Sequence, residues 1–270
     1  MSHIEHMTRN MHTMHTGHIT AVSNQKGGVG KTSTAHALIS GLTRRGYNTL
    51  AIDTDPQGNL TYAMGADENE PGVYELLKGK VTALDIVQHT PLGDIIPGNL
   101  LLAGADMEFA DTGREYLLSE ALDEAERYYE FIIIDSPPQL GILTINVLTA
   151  ANDLIIPMGA DIFSLQGLIQ LYATINKVKK RCNPALEIAG LLITRYSGRS
   201  ILSKELKETI RDRAGQIEAN FFETVIREGV AVKEAQVQQT SVFSSSPRSN
   251  PAVDYEDFIE EYLKGVLSSA

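Results

Sequence analysis

Short runs of consecutive apolar and β-branched residues alternate along this chain with longer stretches whose apolar residues recur every three or four positions. The first pattern predicts strands and the second predicts helices packed by one face. Strands are expected at residues 18–23, 49–53, 94–97, 131–135, 153–157 and 188–194, with weaker signals at 224–226 and 241–243. Helices are expected at 32–45, 114–128, 142–151, 164–180, 203–213 and 255–266. Runs such as Phe131-Ile132-Ile133-Ile134 are apolar at every position, so both faces of their sheet need covering. The alternation as a whole predicts an α/β fold: one domain with a doubly wound, mostly parallel sheet flanked by helices. Within 164–180, Leu165, Leu168, Ile169, Tyr172, Ile175 and Val178 form the expected buried stripe. Ligands of such sheets bind outside the carboxyl ends of the strands, so the polar residues that close each strand are the ones to inspect.

Composition narrows the class. The chain has 270 residues, 43% of them hydrophobic, and a formal net charge of −11. A negative field disfavours polyanions. Between Lys177 and Arg213, however, ten basic residues stand against four acids. The single cysteine, Cys182, excludes an internal disulfide framework and is expected as a small core residue. No run reaches the ~18 apolar residues of a membrane span, and no secretory signal is seen, so a cytoplasmic protein is expected. Residues 1–16, rich in His and Met, are read as a disordered segment or cloning remnant, leaving 17–270 as the domain. With the first strand near His18, an N-terminal winged-helix domain and operator binding are not expected.

The chemistry starts where the first strand ends. Asn24-Gln25-Lys26-Gly27-Gly28-Val29-Gly30-Lys31-Thr32-Ser33 lies between an apolar strand and a helix, the position of a phosphate-binding loop. Gly27, Gly28 and Gly30 let backbone N–H groups turn toward phosphate oxygens at a helix N-terminus. Lys31 is placed to neutralise the β- and γ-phosphates, Thr32 to ligate Mg²⁺, and Ser33 to reach the α-phosphate. The spacing departs from the usual G-x-x-x-x-G-K-[ST]: Gln25 stands where a glycine is expected, and a second lysine, Lys26, follows it.

Two further strand ends carry carboxylates. Asp53-Thr54-Asp55-Pro56-Gln57-Gly58-Asn59 closes the second strand. Alone it reads as a solvated turn; beside a phosphate loop, Asp53 is placed to hold hydrated Mg²⁺ and Asp55 to orient or deprotonate the attacking water. Ile134-Asp135-Ser136-Pro137-Pro138 delivers Asp135 at the end of an apolar strand, the form of a Walker B acid that binds Mg²⁺.

Together, Lys26-Gly27-Gly28-Val29-Gly30-Lys31-Thr32, the Asp53-x-Asp55-Pro56-Gln57-Gly58-Asn59 segment, and Ile134 to Pro138 with Leu140-Gly141 and Thr144-Ile145-Asn146 resemble the ParA/Soj partition ATPases, whose Walker A box is deviant in this way. The likeness runs from about His18 to Tyr255. It implies a P-loop NTPase fold and two monomers closing face to face around two ATP molecules. Lys26 would then reach the partner's nucleotide as the signature lysine, and Asp55 would be the hydrolytic aspartate. It also implies slow Mg²⁺-dependent ATP hydrolysis stimulated by DNA and a ParB-like adaptor, and nonspecific binding to nucleoid DNA. Arg199 falls where the family has a DNA-contacting arginine. In Val225-Ile226-Arg227-Glu228-Gly229-Val230 the second arginine, Arg227, comes one position early and Glu228 takes its place. Lys204, Lys207, Arg211 and Lys233 are candidates to compensate. Pro247-Arg248-Ser249 matches a segment that lines the adenine pocket, with Thr194 and Arg195.

Other readings of the same nucleotide site are weaker. A MinD-like membrane ATPase needs a basic amphipathic C-terminal helix, whereas Asp254, Glu256, Asp257, Glu260 and Glu261 dominate this one. An iron-protein reductase needs two bridging cysteines per chain. A metabolic P-loop ligase has little use for an intersubunit lysine. A positioning ATPase with a non-DNA cargo has the same sequence signature.

Overall fold

Phe131 to Ile134 form most of β5 (Phe131–Asp135) and are buried on both faces, as a run without polar alternation demands. The computed structural model describes residues 17–109, 111–198, 201–217 and 219–269; the expected disordered segment 1–16 and the candidate Arg199 lie outside the described residues. Seven further strands flank β5: β1 (His18–Val22), β2 (Thr49–Asp53), β3 (Gln88–Thr90), β4 (Gly93–Ile96), β6 (Asp153–Gly159), β7 (Glu187–Tyr196) and β8 (Phe221–Arg227). Their spatial order is β3-β4-β2-β5-β1-β6-β7-β8, and each neighbouring pair is parallel except β3 with β4.

Helices cover both faces. On one, Val147 and Leu148 of α2 (Ile142–Ala150) and Leu168, Leu171 and Ile175 of α3 (Ile162–Arg181) pack on β1, β5 and β6. On the other, Leu38 and Ile39 of α1 (Lys31–Arg44) meet Phe258 and Ile259 of α6 (Asn250–Ser269). A Cβ at Gly41 would lie 2.3 Å from Ile259 Cδ1, so glycine permits that close approach. α4 (Ile201–Gln216) and α5 (Ala231–Val237) flank the β7–β8 edge. No described helix is long and apolar enough to cross a membrane.

The expected elements differ from the observed ones in four places. The helix expected at 114–128 is broken into a 3-10 turn, a helix at Leu117–Leu122 and a second 3-10 turn. Tertiary bonds compete for its backbone: Asn146 Oδ1 accepts from Leu118 N at 3.0 Å, and Gly17 N donates to Glu126 O at 2.8 Å. The strand expected at 241–243 is a short helix, Val242–Ser245, because Ser241 Oγ caps it from Phe243 N at 3.1 Å. β3 had no apolar signal, since Gln88-His89-Thr90 is polar and exists through its hairpin with β4. On α3 the buried face passes through Ser164, Leu168, Leu171, Ile175 and Val178, and Ile169 is 67% exposed. Cys182 is half-buried with a free thiol.

Candidate nucleotide site

Strand order converges three loops at the carboxyl ends of β1, β5 and β2. The loop between β1 and α1 turns through Gly28 at φ +73° and Gly30 at φ +84°, left-handed values that favour glycine. Buried Val29 anchors it, and Thr194 at the end of β7 braces it from beneath: Thr194 Oγ1 donates to Val29 O at 2.7 Å. Arg195, itself left-handed at φ +51°, donates from Nη1 to Gly28 O at 3.0 Å and pairs through Nη2 with Glu228 at 3.1 Å. Thr194 and Arg195 thus act on the loop backbone. Pro247 and Arg248 are exposed in the turn before α6, and no hydrogen bond joins them to the loop among the described residues.

The two lysines of the loop are placed differently. Lys31 is buried and donates from Nζ to Lys26 O at 3.2 Å, so its ammonium sits inside the ring of the loop. Burial lowers its pKa, against the opposing pull of Asp135 and Asp55. Lys26 stands at the rim, its side chain 32% exposed, and donates from Nζ to Asp161 Oδ1 at 2.6 Å. Asp161 closes β6 and caps α3, accepting from Ser164 N and Ser164 Oγ at 3.0 Å each. Burial pulls the Asp161 carboxyl up, but the bonds from Lys26 and Ser164 outweigh it and hold its pKa low. Asn24 fixes the loop's entry, with Oδ1 accepting from Lys26 N at 3.0 Å and Nδ2 donating to Pro157 O at 2.7 Å. Neither Asn24 nor Asp161 is singled out by the sequence reading, although Asp161 precedes Ser164 with helix-capping spacing after an apolar strand.

The acids stand at one level. Val22, Asp135 and Asp53 are register partners across β1, β5 and β2. Thr32 Oγ1 donates to Asp135 Oδ2 at 2.6 Å, while Asp135 Oδ1 is buried without a partner among the described residues. Burial and the neighbouring Asp53 push the Asp135 pKa well up. Asp53 is fully buried, which raises its pKa to about 6 despite the hydrogen bonds it accepts. Its Oδ2 accepts from Thr61 N and Thr61 Oγ1 at 2.8 Å, and its Oδ1 from Asp55 N at 3.1 Å. Asp55 in turn accepts from Gln57 N at 3.0 Å.

Among the described residues no three His, Cys, Asp or Glu side chains form a metal cage. A hard cation that keeps most of its water fits what is present instead, since Asp135 Oδ1 needs a donor and the Thr32 hydroxyl lies beside it.

The candidate DNA residues separate into two groups. Exposed Lys204 and half-buried Lys207 line a groove of about 390 Å³ with Tyr196, Glu205 and Glu208, and Lys233 is exposed on α5. Lys207 and Arg211 both lie over the Phe221 ring, and Arg211 also pairs with Glu223 at 2.6 Å. Arg227 differs: Nη2 donates to Asp254 Oδ1 at 2.6 Å and Nε to Asp254 Oδ2 at 2.9 Å, tying β8 to α6.

A glycine loop between β1 and α1, a lysine inside it, and a threonine hydroxyl on a strand-end aspartate define a P-loop nucleoside triphosphatase site. Comparisons narrow the class. A family model described as an AAA domain matches residues 17–188. Soj of Bacillus subtilis, described as a sporulation initiation inhibitor, is 38% identical over 91% of this chain and 98% of its own length. The chromosome partitioning protein ParA of Caulobacter vibrioides is 38% identical over 80% of this chain and 83% of its own. Among solved structures, one described as cobyrinic acid a,c-diamide synthase from Mycobacterium smegmatis superposes with a TM-score of 0.82 at 33% identity, covering 94% of this chain and 97% of that one. That protein is seen with ADP and magnesium and with an ATP analogue and magnesium. The chain belongs to the ParA/Soj family of partition ATPases.

Proposed function

We propose that this chain is a Mg²⁺-ATP-driven partition switch in which ATP closes two copies face to face. The dimer then grips nonspecific DNA, and a ParB-like adaptor together with DNA stimulates slow hydrolysis. The division of labour between the two loop lysines carries the reading. Lys31 already fills the inside of the loop, so a second lysine at its rim is surplus to binding in cis. Presented to a partner's γ-phosphate, it serves as an arginine finger does, worth on the order of 10³–10⁵ in rate, and it makes dimerisation sense ATP.

Within the site, Lys31 and the amides of 27–33 hold the phosphates, and Asp55 orients or deprotonates the attacking water. Magnesium, when bound, neutralises charge on the β- and γ-phosphates, and Thr32 and Asp135 are the residues that would hold it. Asp53 works at one remove, because its oxygens are engaged by Thr61 and Asp55. Lys204, Lys207 and Lys233 form the proposed DNA surface, Arg199 is proposed as a further contact from the family resemblance alone, and the Asp254 pair makes Arg227 a structural tie. A titration of DNA against salt in ATP and in ADP tests the reading. Retention only in ATP, falling steeply with salt, is expected; no retention, or equal retention in ADP, contradicts it.

The likeness to a protein described as an amide synthase supports a second reading, a metabolic ligase. The chain's single cysteine is not placed to act on a group activated at the phosphates. Here the 20 residues of α3 set Cys182 about 30 Å along the helix from the site end. Product formed without DNA or adaptor would favour the ligase. A non-DNA cargo moved by the same ATP cycle would show ATP-dependent dimers that ignore DNA.

A further inference from the structure

Thr61 is absorbed by neither the nucleotide contacts nor the DNA surface, yet it is the most heavily bonded buried hydroxyl behind the acid loop. It lies in the first turn of the helix Asn59–Met64, is 1% exposed, and bonds to two other segments. Its N–H and its Oγ1 both donate to Asp53 Oδ2, each at 2.8 Å. Its Oγ1 also accepts from Gly98 N at 2.9 Å, just beyond β4. Gly98 has no space for a side chain, since a Cβ there would lie 2.4 Å from Asp53 O. β4, the tip of β2 and the helix after Asp55 are thereby pulled to one point.

The consequence runs outward from that point. Asp53, held by Thr61 through one oxygen, uses the other to accept from Asp55 N at 3.1 Å. Asp55 N follows the Asp53 carboxylate, and the Asp55 side chain is then set by Gln57 N. The chain from hydroxyl to Asp55 therefore contains no freely rotating link. Gly58, left-handed at φ +60°, lets the backbone turn back so that Thr61 can reach Asp53.

We propose that Thr61 is a positioning residue for ATP hydrolysis: its hydroxyl clamps Asp53 to Gly98 and so fixes where Asp55 stands relative to the γ-phosphate. The inference rests on the assignment of Asp55 to hydrolysis. A displacement of about 1 Å in such a group can cost on the order of 10²-fold in rate, while phosphate binding by 27–33 is untouched.

The test compares Thr61→Val, which keeps shape and removes the hydroxyl, with Thr61→Ser, which keeps the hydroxyl. ATP affinity, kcat and KM are measured for each beside a thermal melt. Thr61→Val is expected to lower kcat about 10- to 100-fold with ATP affinity within about threefold of the parent, and Thr61→Ser to restore kcat. If Thr61→Val does not fold, Thr61→Ala, which leaves room for a water on the Asp53 carboxylate, replaces it. Unchanged kcat without the hydroxyl overturns the proposal, as does loss of the fold in every variant lacking it. A parent protein that hydrolyses no ATP contradicts the functional reading itself, whereas an active parent with an indifferent Thr61 contradicts only this inference.

Discussion

Lys26 Nζ donates to Asp161 Oδ1 at 2.6 Å, joining the rim of the phosphate loop to the residue that caps α3. The pair holds Lys26 against its own chain. Both side chains are about one-third exposed, so solvent screening limits the pair to about 0.5–1 kcal/mol. Asp161→Asn should therefore lower the ATP concentration for half-maximal dimerisation by about two- to fivefold, read by light scattering. A rise in that concentration would show that Asp161 supports the dimer.

Lys31 is the buried cation of the loop. Lys31→Ala should weaken ATP binding by at least about 100-fold, through loss of a desolvated charge–phosphate contact. Calorimetry that still detects micromolar ATP binding would remove Lys31 from its role.

Asp135 Oδ1 is a buried carboxylate oxygen without a partner among the described residues. Asp135→Asn should stabilise the nucleotide-free protein at neutral pH by about 1–3 kcal/mol while abolishing Mg²⁺-dependent hydrolysis. The paired measurements are a thermal melt without nucleotide and an ATPase assay with Mg²⁺. Loss of stability together with loss of activity would mark Asp135 as structural.

His36 on α1 is buried, and desolvation lowers its pKa to about 4. The unfolded chain takes up this proton below about pH 6.5 and the native one only near 4, so its contribution is present above 6.5 and lost as pH falls toward 4. The size is about 3 kcal/mol over that window. Asp53, raised to about 6, has the opposite sign: its proton-linked stability is present below about 3.8 and lost as pH rises through 6. Denaturant melts of His36→Leu should lose the acid-side decline.

Arg227 is a tie between β8 and α6, and Lys207 a candidate DNA contact. Arg227→Ala should cost about 1–3 kcal/mol of stability by leaving the buried Asp254 carboxylate with the backbone N–H of residue 227 in place of the guanidinium. Lys204→Glu with Lys233→Glu, both exposed, should instead leave the melt nearly unchanged, weaken DNA retention and flatten its salt dependence.

The strands at 18–23, 49–53 and 131–135 and the placement of Lys31 in the loop and of Thr32 beside Asp135 were legible because an apolar run ending in a glycine loop or an acid has few alternatives. Asp161 and Thr61 were not, since their significance lies in partners 135 and 8 residues away that only sheet order and helix entry bring near. Ile169 was misassigned because a two-sided choice on an amphipathic helix is settled by the neighbour it packs on. Arg227 was named as a DNA contact from the family resemblance, and its pairing with a carboxylate on a distant helix was not legible because Asp254 lies 27 residues away.

The proposed function requires Lys26 to act across an ATP-dependent dimer. The mass of Asp55→Ala in Mg²⁺-ATP, with and without Lys26→Ala, tests it most directly. The predicted result is a dimer with ATP that disappears on Lys26→Ala while ATP remains bound. A dimer that persists without Lys26, or a monomer in every nucleotide state, would contradict it.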